Sequence, residues 1–113
     1  MKNILVIDDI KEKVEKFKEI EGDNQTVIFA YSFDEALNVL RDNPKMFDKI
    51  FLDYDLDNRH TGLELLEYIK NEDLLKPGCR IRPNSSSEKC NFLIKKKIVE
   101  LGLTRREINK NLD

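Results

Sequence analysis

The sequence predicts an α/β fold, an open parallel sheet with helices on both faces. Short apolar segments alternate four times with segments whose apolar residues recur at helical spacing. In such an order the strands run parallel, and the helices connect them by right-handed crossovers. The chain has 113 residues, which is enough to bury a core, and we expect residues 1–113 to form one domain.

Four segments are predicted to be strands. The first, residues 3–7, is a short apolar run with β-branched residues, which is typical of a strand buried on both faces. The second and third are residues 26–31 and 47–52. The fourth, residues 79–83, alternates charged and apolar side chains and ends at Pro83, which cannot donate a hydrogen bond to a neighbouring strand. These features favour an edge strand, so we expect four strands in the order 2-1-3-4.

The segments between and after the strands are predicted to be helices. The first spans residues 10–21. Ser32 and Thr61 begin the next two, and each has a glutamate three residues later that completes a capping box. The fourth helix spans about residues 86–101, and a short last helix begins at Thr104.

The composition argues against several classes of function. The formal net charge is −2, so the chain lacks the strong positive charge of nucleic-acid-binding domains. No apolar run approaches the length of about 18 residues that a membrane span needs, and the start, MKNILVIDD, is too short in apolar residues for a secretory signal sequence. The spacing of Cys79 and Cys90 fits no redox or metal motif, so we expect reduced thiols in a cytoplasmic protein.

Polar side chains follow three of the four predicted strands, at the point where each strand ends. Asp8 and Asp9 follow the first strand, Asp53 follows the third, and Ser85 and Ser86 come shortly after the fourth. Ligand sites in open parallel sheets lie beyond the carboxyl ends of the strands. We therefore expect these side chains to share one site.

The strand-end acids suit two kinds of chemistry. Several carboxylates at one edge of a sheet repel each other, and a divalent cation relieves this repulsion. Mg²⁺ binds a few carboxylates and completes its octahedron with water and phosphate oxygens. A carboxylate can also attack phosphorus and form an aspartyl phosphate. Asp53 is the candidate for that nucleophile, and Asn84, Ser85 and Ser86 are candidates to bind the phosphoryl oxygens.

Simpler interpretations exist for several of these residues. Asp8 and Asp9 also suit the start of a helix, where Asp9 would be an N-cap and both acids would interact well with the helix dipole. Ser85 forms a further capping box with Glu88, so the serines also suit a helix start. His60, the single histidine, lies in a polar loop and is typical of a solvated side chain.

Two other motif families match the acids after the third strand. An EF-hand loop has ligands at positions that correspond here to Asp53, Asp55, Asp57 and Glu64. The preceding segment, however, has the pattern of a strand, and asparagine stands where that loop needs glycine. The DxD motif of haloacid-dehalogenase-type phosphatases also matches, but too little chain follows for that fold.

The order and spacing of these segments resemble a response-regulator receiver domain. The matching features are the acidic pair after LVI, Asp53 after IFL, the helix GLELLEYI and a hydroxyl group after the fourth strand. The resemblance spans about residues 2–101, most of the chain. It implies a receiver topology, also called flavodoxin-like, from which the usual fifth strand is missing here.

The same resemblance implies roles for the residues at the strand ends. Asp53 resembles the phosphoacceptor, and Ser85 or Ser86 resembles the hydroxyl residue that responds to phosphorylation. The implied Mg²⁺ ligands are the carboxylates of Asp8, Asp9 and Asp53 and the backbone carbonyl of Asp55.

Two features depart from the usual receiver pattern. Receiver domains usually have a fifth strand ending in Lys-Pro whose lysine contacts the phosphoryl group, and the sequence has no such motif. Arg82, Lys89 or Lys95 are candidates to supply the missing charge. The segments LDYDL and NSSS also resemble a divergent receiver-like family with LDHDL and HSxN motifs, proposed to process cyclic phosphates. Tyr54 and Asn84 stand where that family has histidines.

Three functions are implied by these resemblances. The first is a stand-alone receiver-like domain of two-component or phosphorelay signalling, phosphorylated on Asp53 with Mg²⁺ by a sensor kinase or a small phosphodonor. It would act through a protein partner or a homodimer, with the edge of the fourth strand as the docking surface. The second is a degenerate receiver that binds partners without phosphorylation. The third is a phosphate-processing hydrolase; otherwise we expect at most self-phosphorylation and autodephosphorylation.

Overall fold

The structure, a computed structural model, describes residues 2–13 and 24–103. Its strands are β1 (Lys2–Ile7), β2 (Gln25–Ala30), β3 (Lys49–Leu52) and β4 (Arg80–Pro83). Neighbouring strands are parallel and lie in the order β2-β1-β3-β4, so the predicted order is confirmed. Within the described ranges β1 and β3 are therefore central, and β4 is an edge strand as predicted.

Three described helices follow β2, β3 and β4. They are α1 (Phe33–Asp42), α2 (Gly62–Glu72) and α3 (Glu88–Glu100). Ser32, Thr61 and Ser87 are their N-caps, and each side chain accepts a backbone N–H from three residues later. These bonds satisfy donors that the first turn of a helix leaves unpaired. The predicted caps of α1 and α2 are confirmed, whereas the cap of α3 is Ser87 instead of Ser85.

The helix predicted for residues 10–21 is described only at its start. Residues 11–13 are helical, and the rest of that segment lies outside the described residues, as does the helix predicted from Thr104. The backbone N–H of Ile10 donates to Asp8 Oδ1 at 2.9 Å. Asp8, and not Asp9 as predicted, therefore satisfies a donor at this turn. No helix in the described parts of the chain is long and apolar enough to cross a bilayer.

The larger hydrophobic cluster lies on one face of the sheet. Leu5 and Ile7 of β1 and Leu52 of β3 pack there with apolar side chains of all three helices. Ile4 and Val6 belong to a smaller cluster on the opposite face, because successive residues of a strand point to opposite sides. β1 is thus buried on both faces from Ile4 to its last residue. Asp8, which follows it, is also buried.

Helix α3 offers a matched pair of substitutions that tests this packing. Ile94 is fully buried, whereas Phe92 is 64% exposed on the same helix. We expect I94A to lower the free energy of unfolding by about 2–4 kcal/mol, because it removes buried methyl and methylene groups and leaves a cavity. F92A should change it by less than about 0.5 kcal/mol. Urea denaturation measures both, and equal losses would contradict the orientation of α3.

Candidate functional site

The register of the sheet brings the ends of three strands level. The last residues of β1, β3 and β4 are paired across the sheet. The residues that follow extend these ladders: the Asp53 N–H donates to the Ile7 carbonyl at 3.0 Å, and the Asn84 N–H donates to the Leu52 carbonyl at 2.8 Å. Asp8, Asp53 and Asn84 therefore begin side by side beyond the carboxyl edge of the sheet.

Three carboxylates meet at this edge. Oxygens of Asp8, Asp9 and Asp53 all lie within 4.8 Å of one another. Asp8 has no exposed surface and Asp53 is 5% exposed, whereas Asp9 is open to solvent. The structure thus brings together the acids that the sequence places at the strand ends. Such a set of oxygen donors suits the hard cations Mg²⁺ and Ca²⁺.

Lys13, which the sequence analysis did not single out, reaches into this cluster. Its Nζ lies 3.0 Å from Asp8 Oδ2 and 3.9 Å from Asp53 Oδ2. It also donates a hydrogen bond to the backbone carbonyl of Asn84 at 3.1 Å. One ammonium group therefore contacts the segments that follow β1, β3 and β4.

The basic residues named from the sequence do not take this position. Arg82, Lys89 and Lys95 are all exposed. In the described part of the chain, the ion pairs of Asp8 and Asp53 are made by Lys13 alone. Among the described residues, the positive charge that contacts Asp8 and Asp53 therefore comes from the segment after β1 and not from β4 or α3.

Burial and like charge perturb two of the acids. Burial, and next the neighbouring carboxylate of Asp8, raise the pKa of Asp53 to about 6. The same two causes raise the pKa of Asp9 above its ordinary value. A hydrogen bond from the Tyr54 N–H to Asp53 Oδ1, at 2.8 Å, and the charge of Lys13 act in the opposite direction. Lys13 therefore relieves the repulsion among the acids only in part, and a divalent cation would relieve it further.

Asn84 is the residue after β4 that contacts the acids. Its side-chain Nδ2 donates to Asp8 Oδ2 at 3.4 Å, and its carbonyl accepts from Lys13. From the sequence, Asn84 is predicted to bind phosphoryl oxygens. The structure shows that it also links the loop after β4 to the carboxylate cluster.

Ser85 and Ser86 lie in the same loop but make other contacts. Ser85 Oγ accepts the N–H of Ser87 at 3.1 Å. The backbone of Ser85 is held by the Asn91 side chain, which accepts its N–H at 2.8 Å and donates to its carbonyl at 2.9 Å. Ser86 is exposed. Among the described residues, neither hydroxyl hydrogen-bonds to the acid cluster.

The loop after β3 is organised by its own contacts. Asp55 is exposed and forms an isolated bridge with Thr61. Asp57 Oδ1 accepts two backbone N–H groups of the loop, including that of His60. The His60 Nδ1 lies 3.0 Å from Glu64 Oε2. Asp57 and Glu64, which an EF-hand would direct to one cation, thus contact different groups of the loop. Strand β3, and not a helix, precedes them, so the loop is not an EF-hand.

Gly62 begins α2 directly against Asp53. A Cβ atom at this position would collide with the backbone carbonyl oxygen of Asp53 and crowd the side chain of Leu52. The N–H of Gly62 donates to the Tyr54 carbonyl at 2.6 Å. Glycine allows the helix to start this close to the strand end, so the backbone of Asp53 is fixed by β1 on one side and by α2 on the other.

The segment that contains all three strand-end acids matches a known family. A family model described as the cyclic-phosphate processing receiver domain matches residues 3–99. The chain belongs to this receiver family. The resemblance predicted from the sequence is therefore confirmed. No protein in the curated collection of sequences matches the chain.

Solved receiver structures share the fold. The phosphorylated cyanobacterial phytochrome response regulator RcpA is 25% identical with a TM-score of 0.71, over 88% of this chain and 74% of that chain. A response regulator from Burkholderia pseudomallei, with a phosphorylated aspartic acid, a calcium ion and citrate, is 27% identical with a TM-score of 0.68, over 86% and 55%. TrrA from Thermotoga maritima, in complex with Mg²⁺-BeF, is 20% identical with a TM-score of 0.65, over 89% and 99%. The predicted flavodoxin-like receiver topology is confirmed.

Removing the charge of Asp53 is expected to stabilise the receiver domain at neutral pH. Because the folded-state pKa of about 6 lies above the ordinary value of 3.8, the folded state binds more protons than the unfolded state between about pH 4 and pH 6. The contribution of Asp53 to the free energy of unfolding therefore falls as pH rises through that window. We expect the free energy of unfolding of D53N to exceed that of the wild type by about 2 kcal/mol at about pH 7 and by much less at about pH 4. Urea denaturation in the presence of EDTA measures both.

D57N is the matched control for that experiment. Hydrogen bonding from the backbone N–H of Arg59 is the main cause that lowers the pKa of Asp57, so its charge favours the folded state. D57N should therefore gain no stability at neutral pH. A D53N protein that is no more stable than the wild type at neutral pH would contradict the account of the buried charge.

Proposed function

We propose that this receiver domain, taken as residues 1–113, is a phosphorylation switch with Asp53 as the phosphoacceptor. The observation that carries the proposal is the position of its carboxylate, at the end of a central strand and within 4.8 Å of the carboxylates of Asp8 and Asp9. A phosphoryl group on Asp53 would add negative charge to a site whose acids are already only partly neutralised. Such a change is large enough to rearrange the residues that contact the site.

We propose Mg²⁺ as the cofactor of the switch. The carboxylates of Asp8, Asp9 and Asp53 and the backbone carbonyl of Asp55 would hold it. All of these donors are oxygens, and the exposure of Asp9 leaves room for the waters and phosphate oxygens that complete an octahedral shell. When bound, the cation would neutralise charge on the phosphoryl oxygens.

The proposed reaction is a phosphoryl transfer from a sensor kinase or a small acyl phosphate. A carboxylate oxygen of Asp53 attacks the phosphorus and forms the new P–O bond. The bond between phosphorus and the donor breaks, and the donor leaves with the electron pair. The attacking carboxyl must be ionised, and a pKa of about 6 leaves most of the Asp53 carboxyl ionised at neutral pH.

We propose that the response travels through the loop after β4. Asn84 is joined to the acid cluster by its side chain and its carbonyl, and Ser87 caps α3. New charge on Asp53 would compete for the donors that now serve Asp8 and would attract the hydroxyls of Ser85 and Ser86. The resulting shift would be detected by a protein partner or a second copy of the chain, at α3 or at the β4 edge.

Two of the compared proteins support this chemistry by analogy. The regulator from Burkholderia pseudomallei, 27% identical to this chain, carries a phosphorylated aspartic acid and a calcium ion. The cyanobacterial regulator RcpA, 25% identical, is likewise phosphorylated. The acid cluster of this chain provides the same kinds of group, a carboxylate acceptor and oxygen ligands.

The test is chemical modification of the full chain. Protein incubated with Mg²⁺ and acetyl phosphate should gain the mass of one phosphoryl group, and EDTA should prevent the gain. D53N should gain none, because it lacks the attacking oxygen. D57N, which changes an exposed acid of the neighbouring loop, should gain it as the wild type does. Intact-mass spectrometry measures the gain, and amide shifts on addition of beryllofluoride provide an independent readout.

Two results would contradict this proposal in different ways. Modification that persists in D53N would show that another residue is the acceptor. A wild-type protein without an adduct and without Mg²⁺-dependent amide shifts at Asp53 would contradict the switch itself. That result would favour a receiver that binds partners without phosphorylation.

The family description favours a second candidate function, a phosphate-processing hydrolase on the same scaffold. Hydrolysis of a cyclic phosphate needs a proton donor for the leaving oxygen. The single histidine, His60, contacts Glu64, and Tyr54 and Asn84 stand where the resemblance places histidines. Turnover of a cyclic nucleotide, followed by phosphorus NMR and lost in D53N, would favour this candidate over the switch.

A further inference from the structure

Lys13 joins the ends of three strands through one ammonium group. Its Nζ contacts Asp8 after β1 at 3.0 Å, Asp53 after β3 at 3.9 Å and the carbonyl of Asn84 after β4 at 3.1 Å. The Lys13 side chain is 28% exposed. A free lysine side chain loses conformational entropy when it is fixed in this way. The three contacts offset that loss, which places the ammonium in the site and not in bulk solvent.

The ammonium is shared unequally among these partners. The contact with Asp8 has the length of a charge-assisted hydrogen bond, and so has the contact with the Asn84 carbonyl. The contact with Asp53 Oδ2 is longer, so it is an electrostatic contact without a full hydrogen bond. An ammonium has three donors. One donor is therefore left for an oxygen that would be attached at Asp53.

We propose that Lys13 binds the oxygens of a phosphoryl group on Asp53 and thereby speeds its transfer. The inference rests on the proposed function, because it assigns a role in the phosphorylation of the same carboxylate. Lys13 lies in the helical residues 11–13, so this role would couple the segment after β1 to the state of Asp53.

The transfer from acetyl phosphate shows where the charge of Lys13 acts. A bond forms between a carboxylate oxygen of Asp53 and phosphorus, while the bond from phosphorus to acetate breaks and acetate leaves with the electron pair. The transferred group brings its negatively charged oxygens next to a carboxylate that already repels them. An ammonium held beside Asp53 reduces that repulsion during the transfer, when a fixed positive charge is most effective.

The same contacts make Lys13 a competitor of a divalent cation. The ammonium and a cation bound at the cluster both draw on the charge of Asp8. Removing the charge of Lys13 should therefore strengthen Mg²⁺ binding and, at the same time, slow phosphoryl transfer. A variant whose structure is disrupted would lose both Mg²⁺ affinity and the rate of phosphoryl transfer. Tighter Mg²⁺ binding together with slower transfer therefore identifies the role of Lys13.

The experiment compares K13M with K11M in the full chain. Lys11 lies in the same helical turn, where its Nζ stands over the ring of Tyr31 at 5.5 Å from the centroid. With acetyl phosphate and saturating Mg²⁺, K13M should be phosphorylated at least about tenfold more slowly than the wild type. K11M should be phosphorylated at the rate of the wild type. Intact-mass spectrometry gives the rates. In calorimetric titrations without phosphodonor, K13M should bind Mg²⁺ about threefold to tenfold more tightly.

The outcomes separate this inference from the proposed function. A wild type that takes up no phosphoryl group overturns the proposed function and the role of Lys13 with it. If the wild type is modified and K13M is modified equally fast, only the role of Lys13 is overturned. K13M that loses Mg²⁺ binding together with modification also overturns it. If circular dichroism shows that K13M is unfolded, K13Q, which also lacks the charge, is used for the same comparisons.

Discussion

The arrangement of the site depends on the partial neutralisation of carboxylates at the carboxyl edge of the sheet. Asp8 and Asp53 follow adjacent central strands whose register brings them level. Burying a carboxylate costs several kcal/mol unless a charged partner and hydrogen bonds accompany it. Lys13 is that partner, and the Tyr54 N–H and the Asn84 amide supply further donors. The repulsion that remains among the carboxylates is offset by the apolar packing of the strands and helices beneath them.

That constraint also explains why the site involves separate segments of the chain. The acids follow β1 and β3, and part of their repulsion is relieved by side chains from other segments. The compensating charge and the side-chain amide come from Lys13, in the helical residues 11–13, and from Asn84, in the loop after β4. Local rules are often broken at functional sites and compensated by their neighbours. A buried aspartate with a pKa of about 6 is such a departure.

Much of the fold could be predicted because it follows from local chemistry and the rules for parallel sheets. The strand order, the edge strand and the convergence of Asp8 with Asp53 belong to this part. Lys13 could not be predicted, since spacing identifies the apolar side of a helix but not which polar residue bends toward the sheet. The cap of α3 was predicted two residues early, because any of three consecutive serines suits a cap. Asn91 decides between them by holding the backbone of Ser85.

The close approach of Gly62 to Asp53 has a consequence for how the chain can be altered. The segment between them includes the exposed residues 57–59, where Asp57 accepts the N–H groups of Arg59 and His60. The point at which α2 starts is set by packing, because any side chain there would press on the carbonyl of Asp53. A fluorescent or affinity tag inserted at the tip of this loop would thus sit on a tether whose two ends are fixed next to the acid.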